Sequence, residues 1–213
     1  MPTAPDASVK PVLFGRSSSH FTRVARIFAA ELEVEHDFAV VRDLMSSDEA
    51  DYGGNPALRL PTLRTPEGVW FGALNICREL SRRSSLGRHI VWPEHLDGAP
   101  LANAQELVLQ AMATEVTLIM AKVANVDESG HLAKQRRSLL NMLAWLEENA
   151  AEALAALPSS RDLSFLEVTL FCLVTHLDFR DVLAVAPYPA LSDFCRRFAA
   201  RASVDGTAYR FDA

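Results

Sequence analysis

Apolar positions change their rhythm once along the chain, near residues 93–100. Val12-Leu13-Phe14 is a continuous apolar run closed by Gly15, the pattern of a short buried strand. Ser17, Ser18 and Ser19 follow, and serine is favoured just before a helix because its hydroxyl accepts a hydrogen bond from an otherwise unpaired N–H. Phe21, Val24, Ala25, Phe28 and Leu32 then recur at spacings of three and four, with Arg23, Arg26 and Glu31 off the stripe. That predicts an amphipathic helix of about four turns. His36 to Val41 reads as a second strand. Residues 42–58 carry Ser46-Ser47, Gly53-Gly54 and Asn55-Pro56, so they read as loop with at most a short helix. Leu60 to Leu63 and Val69 to Phe71 flank Pro66-Glu67-Gly68, the grammar of a β-hairpin. Ala73 to Arg83 is again helical. The predicted order is β-α-β-loop-β-β-α in about 75 residues.

Beyond that point nearly everything has helical period. Val108, Met112, Ile119 and Val123 mark one stripe, and Leu139, Leu143, Leu146 and Ala150 another. Ser164 followed by Glu167 is a capping-box spacing, with Leu163 and Val168 at the positions of a hydrophobic staple. The helix it opens is apolar around most of its circumference, which suits the middle of a bundle. A last helix is expected from about Pro189 to Ala202. The expected division is an α/β domain over 9–84, a loop containing Pro93, and an all-helical domain over 98–203. Residues 1–8 are rich in Pro, Ala, Thr, Ser and Asp and read as a disordered tail.

Composition narrows the functional classes. The 213 residues carry 21 Lys plus Arg against 27 Asp plus Glu, a net charge of −6, which argues against general nucleic-acid binding. The most apolar stretch, 163–179, contains Glu167, His176 and Asp178, so no membrane span is expected. The first residues lack the basic start and apolar core of a signal peptide, so a cytoplasmic location is expected. Cys77, Cys172 and Cys195 are odd in number and widely spaced, which disfavours a disulfide framework, a CxxC redox pair or a thiolate zinc site. His89, Glu94 and His95 are near one another, but Trp92-Pro93 breaks any helical ligand spacing, so no metal site is expected.

Four local patterns in this order resemble the cytosolic glutathione transferases, a bacterial branch in particular. Ser17 to Arg23 (SSSHFTR) is similar to that family's Ser-Pro-Phe/Tyr-Val-Arg opening of its first helix. Asn55-Pro56 followed by Leu60-Pro61-Thr62-Leu63 resembles its NP…VPxL segment, whose proline is cis. Ser164-x-x-Glu167 resembles the capping box of its central bundle helix. His176 to Arg180 and Arg201 to Thr207 resemble its YLxFR and RxSFxxT segments. The resemblance covers about Val12 to Ala208 and implies a thioredoxin-like domain followed by a helical bundle, glutathione as co-substrate, and a homodimer.

It also implies residue roles. Ser19 matches the catalytic serine, which donates to the glutathione sulfur at a helix N-terminus and so favours the nucleophilic thiolate. The competing reading is that Ser17, Ser18 and Ser19 are helix caps with no chemistry. A cis Leu60–Pro61 bond would turn the Leu60 N–H and C=O toward the cysteinyl unit. His20 stands where the branch has proline, either as a neighbour of the thiol or as an exposed bystander. The family begins its next helix with an acidic residue and Ser, which grip the γ-glutamyl group; here Gly72 and Ala73 stand instead, leaving main-chain N–H donors. The expected activity is conjugation of glutathione to hydrophobic electrophiles, a detoxification reaction, with weakened glutathione binding. The helix bearing Met112, Glu115 and Ile119 would line the second-substrate cleft. The alternative is a non-catalytic protein of the same fold. A glutathione-dependent reductase would want cysteine at position 19 and is disfavoured.

Overall fold

A computed structural model describes residues 9–182 and 187–212; the tail expected over 1–8 therefore lies outside the described residues. The chain divides into two compact units, one formed by residues up to Arg88 together with those from Arg201 onward, the other by His89–Ala200.

The first unit is built on β1 (Val12–Gly15), α1 (His20–Glu31), β2 (Asp37–Val40), β3 (Thr62–Thr65), β4 (Gly68–Phe71) and α2 (Ala73–Arg83). Its sheet has the order β2-β1-β3-β4, with β1 parallel to β2 and antiparallel to β3, and β3 antiparallel to β4. This is the thioredoxin-like arrangement that the resemblance implies, with the strand and helix order read from the sequence. Val24, Ala25, Ile27 and Phe28 of α1 and Ile76, Cys77 and Leu80 of α2 are buried with Leu13 and Leu63 of the sheet. Each fully buried Leu, Ile or Phe contributes about 1.5–3 kcal/mol, which is what holds helices this short. The loop after β2 contains one 3-10 turn, Glu49–Tyr52, capped by Gly53 at φ +70°. A Cβ on Gly53 would fall 2.7 Å from the Phe14 ring, so only glycine lets the loop close over β1.

Arg23 departs from the pattern. Helical periodicity put it on the outer face, yet it is 5% exposed. Residues 201–212, including the short helix α7 (Ala202–Asp205), belong to this same unit and cover that face. The Arg23 guanidinium donates to the Val204 carbonyl (3.4 Å) and lies 4.3 Å from the centre of the Tyr209 ring.

The second unit contains α3 (Ala99–Val123), α4 (Gly130–Ala155), α5 (Phe165–Phe179) and α6 (Pro189–Phe198). Leu139, Leu143, Leu146 and Ala150 of α4 are all buried, as their spacing predicts. In α5, both Leu166-Leu170-Leu173-Leu177 and Phe165-Val168-Cys172 are buried, consistent with a central helix. Ser164 caps α5 by accepting from the Glu167 N–H (3.0 Å). The reciprocal leg of the box is replaced, because the Glu167 carboxylate takes a bidentate pair of bonds from Arg161 (2.6 and 2.9 Å). Glu147 of α4 accepts from the N–H groups of Ala190 and Leu191 and supplies the cap that α6 lacks locally.

Three expectations need correction. Val123 is 56% exposed, so the buried stripe of α3 ends before it. The last predicted helix stops at Phe198 instead of reaching Ala202. Two strands went unforeseen, β5 (Ile90–Val91) pairing in parallel with β6 (Leu163–Ser164), since two residues carry no readable period. Among the described residues no helix is long and apolar enough to cross a membrane.

Candidate functional site

One row of the sheet gathers the candidate residues. Phe14 of β1 pairs with Thr62 of β3, and Thr62 pairs with Phe71 of β4. Because β3 runs opposite to its neighbours, the end of β1, the start of β3 and the end of β4 lie at the same edge. The segments Gly15–Ser19, Leu60–Pro61 and Gly72–Ala73 therefore all leave the sheet from that edge. Open αβ sheets commonly bind ligands at such an edge, where turns and helix starts expose main-chain donors.

The turn between β1 and α1 is closed by a hydrogen bond from the Ser19 N–H to the Arg16 carbonyl (3.1 Å). Ser19 is the N-cap of α1, and its Oγ accepts from the Thr22 N–H at 3.3 Å. That bond uses a lone pair, so the hydroxyl proton stays available to donate. Ser19 is half-buried, whereas Ser17 (1% exposed) and Ser18 (7%) are buried. The cap reading of Ser19 is thus present in the geometry and does not compete with a role as donor. His20, the first residue of α1, is 1% exposed, with its ring edge-on to Phe21 at 4.6 Å. It is a buried side chain and not an exposed bystander.

The Leu60–Pro61 peptide bond is cis. Asn55 prepares it: its side chain donates to the Arg59 carbonyl (2.8 Å) and accepts from the Ala57 N–H (3.0 Å), drawing the loop tight. Among the described residues neither the N–H nor the C=O of Leu60 has a main-chain partner. The Pro61 carbonyl accepts from the Gly72 N–H (3.3 Å), which ties the cis segment to the start of α2.

Gly72 is the N-cap of α2 and makes no side-chain cap, so the first N–H groups of α2, beginning with Ala73, have no partner within the helix. Gly72 has φ +80° and ψ 145°, a conformation open essentially to glycine alone. Local backbone geometry therefore explains the glycine without reference to any ligand.

The expected cleft residues belong to the second unit. Met112 and Glu115 of α3 are fully buried in the described structure. The Glu115 carboxylate lies 2.7 Å from Nδ1 of His176 on α5, so it is engaged within the helical unit. An open cavity of about 310 Å³ lined by Glu31, Glu33, Arg88, Arg201 and Ser203 lies by the last turn of α1, away from the Ser17–Ser19 turn.

Sequence reasoning missed Asp212. Its carboxylate accepts from the Ser17 N–H at 2.7 Å across 195 residues of chain. No local motif marks it; the only pointer was the resemblance of the segment just before it, Arg201 to Thr207.

No protein-family model matches this chain, and no curated protein sequence does. Solved structures do match. A glutathione transferase family member from Pseudomonas fluorescens Pf-5 with bound glutathione is 22% identical, with a TM-score of 0.74 over 94% of this chain and 100% of that one. A glutathione S-transferase from Methylobacillus flagellatus with glutathione bound gives 20% identity and a TM-score of 0.74 over the same shares. A third, from Methylobacterium radiotolerans in complex with glutathione sulfonate, gives 18% and 0.71 over 96% and 98%. At these identities the match establishes the fold.

Proposed function

We propose that this chain binds glutathione at the sheet edge below Ser19 and conjugates it, through its thiolate, to hydrophobic electrophiles. The observation that carries the reading is the single row Phe14–Thr62–Phe71, from which the Ser19 turn, the cis Leu60–Pro61 segment and the uncapped start of α2 all emerge. The solved structures of the same fold that hold glutathione support it.

In this reading Leu60 offers its main-chain N–H and C=O to the cysteinyl unit in the manner of an added strand. The α2 N–H groups at Ala73 receive the γ-glutamyl carboxylate. Ser19 donates its proton as a hydrogen bond to the sulfur. A free thiol has a pKa of about 8.5, so this bond and the N-terminus of α1 favour the thiolate at neutral pH. The sulfur lone pair then forms a bond to an electrophilic carbon as the leaving group, for instance chloride, departs with its electron pair. With Gly72 and Ala73 in place of an acidic residue and serine, the γ-glutamyl amine has no acidic partner there, and binding is correspondingly weak. The protein would act in the cytoplasm as a homodimer.

The same Gly72–Ala73 pair favours a second reading, a non-catalytic protein of this fold. Calorimetric titration with glutathione, beside a conjugation assay on a chlorinated aromatic, separates the two. Binding with turnover, and at least about a tenfold loss of kcat in Ser19→Ala, is expected of the enzyme. Absence of both binding and turnover would leave Ser19 as a helix cap.

A further inference from the structure

We propose that Asp212 is a positioning residue for this site, holding the Ser17–Ser19 turn so that the Ser19 hydroxyl is aimed at the sulfur; the proposal rests on the glutathione reading above. A β-turn satisfies the N–H of its fourth residue, here Ser19 to the Arg16 carbonyl, and leaves that of its second residue unpaired. Ser17 is that second residue, and at 1% exposure water cannot serve it. The Asp212 carboxylate does, at 2.7 Å, in a charge-assisted bond of the short, directional kind. The Ser17 hydroxyl has no hydrogen-bond partner among the described residues, so the N–H is the handle by which this residue is held.

Asp212 is the last fastening of a longer strap. Residues 201–212 run along α1 from its final turn back to the turn that precedes it. Arg201 (3.0 Å) and Ser203 (2.7 Å) hold the Glu31 carboxylate. Arg26 donates to the Gly206 carbonyl at 3.0 Å, and Arg23 reaches Val204 and stacks on Tyr209. Each of these contacts secures helix or strap, whereas the Asp212 contact is made to the turn that carries Ser19. Losing a fraction of an ångström in that turn weakens a hydrogen bond that stabilises the thiolate, while leaving the Leu60 and α2 contacts that bind the tripeptide.

The test compares Asp212→Ala, Asp212→Asn and Ser203→Ala with the parent protein. The readouts are the titration of bound glutathione thiol by its ultraviolet thiolate absorption, the kcat and KM for conjugation, and amide exchange at Ser17. In Asp212→Ala we expect Ser17 exchange to accelerate at least about tenfold. The thiolate fraction at fixed pH should fall roughly tenfold, one unit in the thiol titration, with KM for glutathione changed less than about twofold. Asp212→Asn, which keeps an acceptor without the charge, should recover part of both. Ser203→Ala loosens the strap at its other end and should lower the melting temperature without moving the thiol titration. The proposal is overturned if Asp212→Ala leaves exchange and titration unchanged, if Ser203→Ala moves the titration equally, or if Asp212→Ala tightens binding, which would make the carboxylate a blocking group. A parent protein that binds no glutathione would remove the function itself and this proposal with it. A parent that binds and titrates normally beside an unaffected Asp212→Ala would remove this proposal alone.

Discussion

On the proposed function, placing an acidic residue and serine at the start of α2 should strengthen glutathione binding and weaken folding, by separable amounts. The perturbation is Gly72→Asp and Ala73→Ser, singly and together. Gly72 sits at φ +80° and ψ 145°, where a residue with a Cβ costs about 1–3 kcal/mol. A Cβ built there meets nothing within 4 Å, so the cost is torsional and no neighbour needs to move. That strain is present in the free and the bound protein alike, and so it subtracts from folding and cancels from binding. For a chain of this size each kcal/mol lowers Tm by about 2–4 °C, so Gly72→Asp should melt roughly 2–12 °C lower. A hydrogen bond to a charged group contributes about 1.5–3 kcal/mol, so the double variant should bind glutathione about tenfold to somewhat over a hundredfold more tightly. The assay is calorimetric titration with glutathione and, in parallel, with cysteinylglycine, which lacks the γ-glutamyl unit. The gain must appear with the first ligand and vanish with the second. A lower Tm with unchanged affinity, or equal gains for both ligands, would show that Gly72 and Ala73 do not face the γ-glutamyl group. An unchanged or higher Tm in Gly72→Asp would refute the backbone argument.

Two further outcomes are expected. In the helical unit the Glu115–His176 contact is buried on both sides (0% and 4% side-chain exposure), so Glu115→Ala, which removes a buried hydrogen bond, should cost about 1–3 kcal/mol in urea unfolding. Glu115→Leu with His176→Leu should cost less than the sum of the single changes, and strict additivity would mean that the two side chains do not interact. Burial, opposed by a bond to the Val34 carbonyl (3.3 Å), holds the His36 imidazole below its ordinary 6.5. Between that lowered value and 6.5 the unfolded chain binds more protons than the folded one, so stability present above pH 6.5 declines as pH falls through this window. Urea midpoints measured at about pH 7.5 and about pH 5.5 should differ less in His36→Gln than in the parent, and equal slopes would dismiss His36 as the source.

Local chemistry carried much of this protein in a form that can be read directly. Val12–Phe14 is a continuous apolar run and Leu60–Phe71 has the strand-turn-strand grammar of a hairpin, while Ser19 and Ser164 stand where helix starts need an acceptor, so the α/β half, the helical half and two caps were legible from neighbours in the chain. The cis Leu60–Pro61 bond came from resemblance, because nothing in residue periodicity distinguishes it from a trans one. What the tertiary structure alone decided lies between residues far apart. Arg23 looks like a solvent-facing residue by helical period, yet a segment nearly two hundred positions later buries it, and the backbone N–H of Ser17 finds its acceptor in Asp212. Glu167 looks like half of a capping box until Arg161 claims its carboxylate. Periodicity reports which face of an element is apolar. It holds no information on which distant polar group completes a hydrogen bond, because that depends on the folded path of the chain between them.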